Sequence, residues 1–381
     1  MANVLTDLAA DIYKAADVVG RELVGFIPAS TINANGSERA AKGDVVRASF
    51  TRAATAVDVT ESMTTPEGTD QTVDNKTLSI TNARAVQIPY TGEDILHLNN
   101  GIGYETVYGD QIAQAMRTLT NEMEEDLAEA AYQNASRAFG TAGTTPFGSN
   151  FDEVAEVRQI LVDNGMPAND GQVSLVLNTV AGTNLRQLAQ LQKANEAGGT
   201  NLLRQGVLLD LQGMAIRESA QVQAHTKGTG TGYLLNDASS AIGDTTINTD
   251  TGSGTILAGD IVTFAGTSDK YVVNTALSGG SFTIGGTGLV AAEADNDAIT
   301  VGNNYTANVA FHRRALELAV RAPAVPSGGD SADDALTVQD PTSGLVFEVR
   351  VYKGYRKTMI EVAATWGVRA WKSDFIATLL G

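Results

Sequence analysis

The chain has 381 residues, of which 43% are apolar and 18% charged, and its acids outnumber its bases 44 to 26. The length predicts two or three domains, and the composition is typical of a folded protein rather than of a disordered chain. The net charge of −18 disfavours tight binding to DNA phosphates, and the lack of cysteine excludes disulfides, thiolate nucleophiles and cysteine-ligated metals.

The first 30 residues predict an amphipathic helix rather than a targeting segment. They lack the basic start and apolar core of a secretory signal, and no stretch of the chain approaches the 18 continuous apolar residues of a membrane span. Apolar residues recur at helical spacing up to Val19, and Pro28 helps to end the segment. Two interpretations stay open: a helix docked on its own domain, or an arm that binds a partner.

Residues 43–90 change to a strand pattern. The first part is rich in β-branched residues. In the second part the apolar residues Leu78, Ile80, Val86 and Ile88 all have even numbers, so in a strand they would lie on one face. A polar stretch separates the two parts, which predicts a long two-stranded arm with a polar tip. Because an isolated hairpin is barely stable in water, we expect this arm to rest on another surface, such as a neighbouring subunit.

Residues 104–139 give the clearest helical pattern. Six apolar residues, spaced three or four apart, form one stripe: Tyr108, Ile112, Met116, Leu119, Met123 and Leu127. The four acids of the run Glu122–Asp126 lie on the polar side of the helix, away from this stripe, where we expect solvated acids rather than a metal or acid–base site. The pattern predicts a long helix that crosses one side of a flat domain.

The rest of the chain divides into an α/β-like part, a glycine-rich part and closing strands. Residues 151–225 read as helix, strand, helix and strand, and the last residues of the chain read as two strands. Between them, the window 226–306 holds 14 Gly, no Pro and only two bases, with short apolar runs between turn clusters. This pattern predicts a small inserted barrel or sandwich.

No catalytic set emerges from the sequence. There is no phosphate-binding G-x-x-x-x-G-K-[ST] loop, no G-x-S-x-G motif and no H-E-x-x-H motif, and the three histidines are far apart. Each histidine is expected at a surface or an interface. His312, Arg313 and Arg314 form a basic patch that suits either a neighbouring subunit's acids or an ordinary exposed turn. We expect no enzyme activity, no cofactor and no metal.

The order of these elements resembles the major capsid proteins of tailed bacteriophages, which have the Hong Kong 97-type fold. The segment NVAFHRRALELAV, followed by VRVYKGY and WGVRAW, is similar to the closing stretch of many such coats. The glycine-rich insertion, with ILAGDIVTFAG, resembles the coats of short-tailed Salmonella-type phages. The resemblance implies an α+β fold with these parts: N-terminal arm 1–42, extended hairpin (E-loop) 43–90, spine helix and part of the peripheral domain 91–169, axial-domain parts 170–225 and 307–343, inserted β-barrel 226–306, and closing peripheral-domain strands 344–381.

The same resemblance implies a function and partners. The protein would assemble with many copies of itself into an icosahedral shell around double-stranded DNA, through a procapsid that expands on maturation. A scaffolding protein and a portal would assist assembly in the cytoplasm of a host bacterium. The candidate subunit-contact residues are Arg47, Arg52, Glu61, Glu67, His312, Arg313 and Arg314.

Two other functions remain open from the sequence. A surface-layer or adhesin-type protein would suit the Gly/Thr-rich insertion, although the spine helix and the missing signal count against it. A cytosolic enzyme with an inserted β-domain would need a convergent polar pocket, which the sequence does not indicate.

Overall fold

The computed structural model describes residues 5–51, 56–64, 73–99, 104–192, 210–237, 240–340 and 342–381. The helices are α1 (Leu5–Glu22), α2 (Phe26–Ala29), α3 (Gly92–Asn99), α4 (Tyr104–Gln133), α5 (Asp152–Asp163), α6 (Thr179–Gln187) and α7 (Ala189–Gln192). The strands are β1 (Thr31–Ala40), β2 (Val45–Thr51), β3 (Val73–Ser79), β4 (Asn82–Thr91), β5 (Arg137–Phe139), β6 (Val173–Leu177), β7 (Asp210–Leu211), β8 (Met214–Glu218), β9 (Ala224–His225), β10 (Thr231–Leu235), β11 (Thr246–Ser253), β12 (Ile261–Phe264), β13 (Tyr271–Ser278), β14 (Ser281–Ile284), β15 (Ala298–Val301), β16 (Tyr305–His312), β17 (Leu316–Pro323), β18 (Ala332–Gln339), β19 (Val346–Gly354), β20 (Lys357–Ala370) and β21 (Ile376–Leu380). None of these described helices has the length and apolar character needed to cross a membrane.

Helix α4 carries the predicted apolar stripe. Its members Ile112, Met116, Leu119, Met123 and Leu127 are all buried, whereas the side chain of Tyr108 lies outside the described residues. The helix has 30 residues and so spans roughly 45 Å. The prediction placed its end at residue 139, but it ends at Gln133, because residues 137–139 form strand β5 and pair in parallel with β21.

A six-stranded sheet packs against α4 and α1. Its order is β1-β17-β20-β19-β18, and β4 also pairs with β20. Ile12 and Val19 of α1 lie in the same apolar core as the α4 stripe and as Trp366 of β20. Helix α1 is therefore docked on its own chain, which agrees with the first of the two interpretations of the N-terminal segment.

A second sheet forms the α/β part of the molecule. Strand β16 lies between β21 and β6, and β6 pairs in parallel with β8. Helices α5 and α6 cover it through Val157, Leu161 and Leu185. The second helix predicted within residues 151–225 breaks at Leu188, and its end lies outside the described residues.

Six strands within residues 231–301 form a closed barrel. The antiparallel neighbours run β12-β15-β10-β11-β14-β13, and the pairing of β13 with β12 closes the circle. Eleven buried side chains, among them Phe264, Tyr271 and Phe282, fill its interior. A barrel of this kind leaves no free strand edge in its wall, so a small core suffices to hold it.

Two junctions hold the barrel to the rest of the chain. Residues Tyr271 of β13 and Arg137 of β5 are paired across the first junction. At the second, Asp260 is buried, its Oδ1 lies 2.8 Å from His225 Nε2, and the Tyr305 hydroxyl donates to the Gly259 carbonyl at 2.6 Å. His225 is thus a buried structural residue within one chain, contrary to the expectation of a histidine at the surface or at an interface.

A buried charged cluster joins β1, β19 and the loop before β18. Glu348 Oε1 accepts hydrogen bonds from Arg39 at 2.5 Å and from Arg350 at 3.1 Å, and Arg350 also pairs with Asp330. Only 1% of the Glu348 side chain is exposed. Burial acts to raise the pKa of Glu348, but the hydrogen bonds and positive charges of the two arginines outweigh it and hold the pKa below the usual 4.5.

Candidate assembly surfaces

The clearest candidate for subunit contact is a two-stranded arm, made of β2, β3 and the residues between them. Strands β2 and β3 pair through seven consecutive positions, from Val45 opposite Ser79 to Thr51 opposite Val73, and form a sheet of their own. The predicted hairpin extended to residue 90, but β4 pairs with β20 in the six-stranded sheet. The chain leaves the arm at Ile80, because Val86 and Ile88 pack against the main core instead.

The base of the arm is fixed to the body of the subunit. Leu78 and Ile80 are buried in a small cluster with Ala40 and Ala319. The backbone passes so close to β20 that a Cβ on Gly367 would lie 2.1 Å from the Ser79 carbonyl oxygen. A side chain at this position would displace the junction between β3 and β4.

Gly367→Ala is therefore expected to lower the free energy of unfolding by about 1–3 kcal/mol, the usual cost of forcing extra atoms into a packed site. Denaturant unfolding of the purified subunit measures this loss. Gly354→Ala is the matched control, since its Cβ would meet its nearest neighbour at 3.5 Å, an ordinary contact. Equal stability of the two variants would show that the arm base tolerates displacement.

The described part of the arm's connecting segment, residues 56–64, exposes apolar side chains. It forms neither helix nor strand. Val57 is 79% exposed, Val59 100%, and Met63 is fully exposed. The described residues of the same subunit do not cover these side chains, and a group of exposed large apolar side chains is typical of an interaction surface.

The arm also contains four of the predicted contact residues. Arg47 on β2 and Glu61 in the connecting segment are exposed. Arg52 and Glu67 lie outside the described residues. The exposed pair is consistent with a contact surface, and the contact itself remains a prediction.

The basic patch at residues 312–314 is only partly at the surface. Arg313 and Arg314 are exposed. His312 is fully buried: its Nε2 lies 2.7 Å from Asp170 Oδ2, and its Nδ1 accepts from the Arg314 backbone N–H at 3.1 Å. The prediction of His312 as a contact residue needs correction, because its ring joins parts of one chain and is not presented to a neighbour.

The acidic run of α4 is only partly the solvated surface that the sequence indicated, since Glu125 is exposed but Glu124 is buried and Asp126 is half-buried. Glu124 is buried, and its two carboxylate oxygens accept the backbone N–H groups of Phe26 at 2.5 Å and Ile27 at 2.9 Å. Burial raises the pKa of Glu124, and these hydrogen bonds oppose the rise. Asp126 Oδ2 accepts from Trp366 Nε1 at 2.6 Å. Both acids fix distant segments onto α4.

No sequence signal marked Glu124 or Asp126 among the neighbouring acids. One clue lies at Gly25, where a Cβ would stand 1.8 Å from Glu124 Oε1. The sequence shows a glycine at position 25, but it does not show that this glycine lies against Glu124, 99 positions further on. Among the described residues, no group of three or more His, Cys, Asp or Glu side chains is arranged to hold a metal ion.

Comparison with known proteins defines the class of fold. No family model and no curated protein matches the sequence. The structure matches those of phage capsids, so the chain has a mixed α+β fold similar to that of phage capsid proteins. The resemblance predicted from the sequence is confirmed at this level.

Three solved structures illustrate the likeness. The capsid of the cyanophage P-SCSP1u matches with a TM-score of 0.50 and 11% identity, over 94% of this chain and 88% of its own. The mature capsid of bacteriophage PhiM1 matches with a TM-score of 0.48 and 10% identity, over 94% and 87%. A chain of Mycobacterium phage Che8 matches with a TM-score of 0.47 and 15% identity, over 89% and 85%.

Proposed function

We propose that this chain is the major capsid protein of a tailed phage and that its copies assemble into an icosahedral shell around double-stranded DNA. The observation that carries the proposal is the β2–β3 arm, whose described residues are buried only at its base and which exposes Val57, Val59 and Met63. Such an arm is stable and useful only when another surface covers it. Its role is structural, with no catalysis.

A closed shell suits an arm of this kind because many weak contacts add up. Each arm buries only a few side chains, but every subunit repeats the contact around the shell. The net charge of −18 limits adhesion of the packaged genome to the wall. Arg47, Glu61, Arg313 and Arg314 are the exposed residues that we assign to subunit contacts.

The proposed domain division follows the resemblance, adjusted to the observed elements. We assign α1, α2 and β1 to the N-terminal arm, the β2–β3 arm to the E-loop, and α4 to the spine. The second sheet with α5 and α6 is the axial domain, and the barrel at 226–306 is inserted into it. The other five strands of the six-stranded sheet form the peripheral domain. We further propose that assembly begins with a procapsid in the host cytoplasm, aided by scaffolding and portal proteins.

Electron microscopy tests the proposal directly. The protein is produced in bacteria with its scaffolding partner, and particles are separated on a sucrose gradient and imaged in negative stain. Uniform polyhedral shells are the expected result. Fibres or flat lattices would instead support a surface-layer protein, and small discrete oligomers would contradict a shell role.

A further inference from the structure

Strands β10 and β15 of the barrel are paired over only part of their length. Strand β10 begins at Thr231, and β15 ends at Val301. Their pairing reaches only to Tyr233, which lies opposite Ile299. On its other side β15 stays paired to its end, with Val301 opposite Val262 of β12. An opening is therefore left in the barrel wall between the start of β10 and the end of β15, and we call it the β10–β15 opening.

The segment before β10 is held away from β15 by the loop between β11 and β12. The Gly230 N–H donates to the Thr255 carbonyl at 2.8 Å, and the Gly228 N–H donates to Asp260 Oδ1 at 3.0 Å. The contact is close, since a Cβ on Gly228 would lie 2.2 Å from the Thr255 carbonyl oxygen. These bonds keep the opening from closing, so it is a fixed feature of the wall.

The β10–β15 opening is bounded at both ends. The pairing of Tyr233 with Ile299 closes one end, and at the other the Lys227 N–H donates to Asn304 Oδ1 at 3.0 Å. The cavity between them measures about 340 Å³, and small-molecule sites typically measure about 300–1,000 Å³. A small ligand can enter such an opening, whereas an added strand could not continue past either end.

Backbone donors and acceptors face each other across the opening. The Leu235 N–H donates to the Asp297 carbonyl, and in an antiparallel pair every second position is a hydrogen-bonding one. Counted along the strands from this bond, Thr231 and Val301 occupy such a position, but they are not paired. Their N–H and C=O groups therefore point into the opening without bonding to each other.

The side chains around the opening bear hydroxyl groups or are apolar, with one base. Its lining includes Thr229, Thr231, Thr300, Ile299, Val301 and Lys227. The described residues of the lining include no acid, and the ammonium group of Lys227 donates to Asn303 Oδ1 at 3.4 Å. A metal ion would lack carboxylate ligands here. A hydroxyl group both donates and accepts, so a ligand rich in hydroxyl groups matches the free backbone groups.

We propose that the β10–β15 opening is a binding site for a neutral saccharide. The hydroxyl groups of a sugar unit would bond to the free backbone groups of Thr231 and Val301, and its C–H groups would contact the side chains of Ile299 and Val301. Because the opening is already formed, little ordering is needed on binding. The inference goes beyond the shell function and does not depend on it, since the whole site lies in the barrel of one chain.

Glycan binding by the full-length chain tests the site. The purified protein is applied to an array of neutral and acidic bacterial oligosaccharides, and the neutral oligosaccharide with the strongest signal is titrated by calorimetry. Thr300→Trp and Thr231→Trp place a bulky side chain on opposite sides of the opening, so each should weaken binding about tenfold or more. Both positions are exposed, so the unfolding midpoint should be retained. Thr275→Trp is the matched control, since Thr275 is exposed on β13 and is not part of the lining.

Two results would overturn the inference. One is the absence of binding to every neutral oligosaccharide, or binding that both tryptophan variants leave unchanged. The other is binding that is confined to acidic oligosaccharides and lost in Lys227→Ala, because a surface charge would then account for it. Neither result bears on shell assembly, which the microscopy of particles tests separately.

Discussion

Replacing Val57, Val59 and Met63 together by serine is expected to abolish shell assembly and leave the subunit folded. The three side chains are exposed in the free subunit, and substitutions at such positions usually change the free energy of unfolding by less than about 0.5 kcal/mol. In a shell, each serine substitution would remove about 1.5–3 kcal/mol of favourable free energy that comes from burying the apolar side chain at a subunit contact. The loss recurs in every subunit. Gradient sedimentation measures the shells, and denaturant unfolding measures the subunit.

The matched control keeps the apolar character of the arm. A variant with Val57→Ile, Val59→Ile and Met63→Leu should assemble normally, since the buried area is preserved. Normal shells from the serine variant would mean that the connecting segment is an ordinary surface loop. A lowered unfolding midpoint in the serine variant would show that the segment is covered in the isolated subunit.

The second large effect is expected at the buried charged cluster. Glu348→Gln should lower the free energy of unfolding at pH 7 by about 3 kcal/mol, because it removes the negative partner of two arginines in a nearly inaccessible site. Asp333→Asn is the control. Asp333 pairs with Lys353 at 2.6 Å, but both side chains are 42% exposed, and surface pairs of this kind contribute about 0–1 kcal/mol.

The same variant has a defined pH dependence. The pKa of Glu348 is held below the usual 4.5, so its ionised form stabilises the folded state above that pH. This contribution is lost as the pH falls through the folded-state pKa. Urea unfolding should show a difference between the unsubstituted protein and Glu348→Gln that is full at pH 7 and shrinks below about pH 4.5. A difference that stays constant with pH would assign the loss to packing instead of charge.

Buried hydrogen bonds and ring contacts within the body of the subunit explain why the fold tolerates an exposed arm. Glu124 holds Phe26 and Ile27, whose side chains are buried, and the ring of Phe26 stacks on Phe311 of β16 at 5.8 Å. The N-terminal segment, α4 and the second sheet are thereby joined in the isolated chain. None of these contacts involves the arm, so the arm can project without loss of the fold.

The elements that the sequence determined by itself are those held by local contacts. The stripe of α4 has a helical period, and the runs of β12, β13, β14 and β15 show the apolar pattern between turns that predicted a small barrel. In both cases residues a few positions apart face the same core, so the pattern is visible along the chain. Strand β11 has the polar sequence TINTDTGS and was not predicted. Of its side chains only that of Ile247 lies in the apolar core of the barrel, so the strand has no apolar pattern.

Tertiary structure alone decided where elements end and which polar groups are buried. Helix α4 ends at Gln133 since the residues after it pair with β21, more than 200 positions further on. Strand β4 leaves the arm because β20 receives it. Glu124 and His312 look like surface residues in the sequence, but Phe26, Ile27 and Asp170 provide their hydrogen bonds. A side chain's partner across such distances depends on the packing of whole sheets, and no local periodicity encodes it.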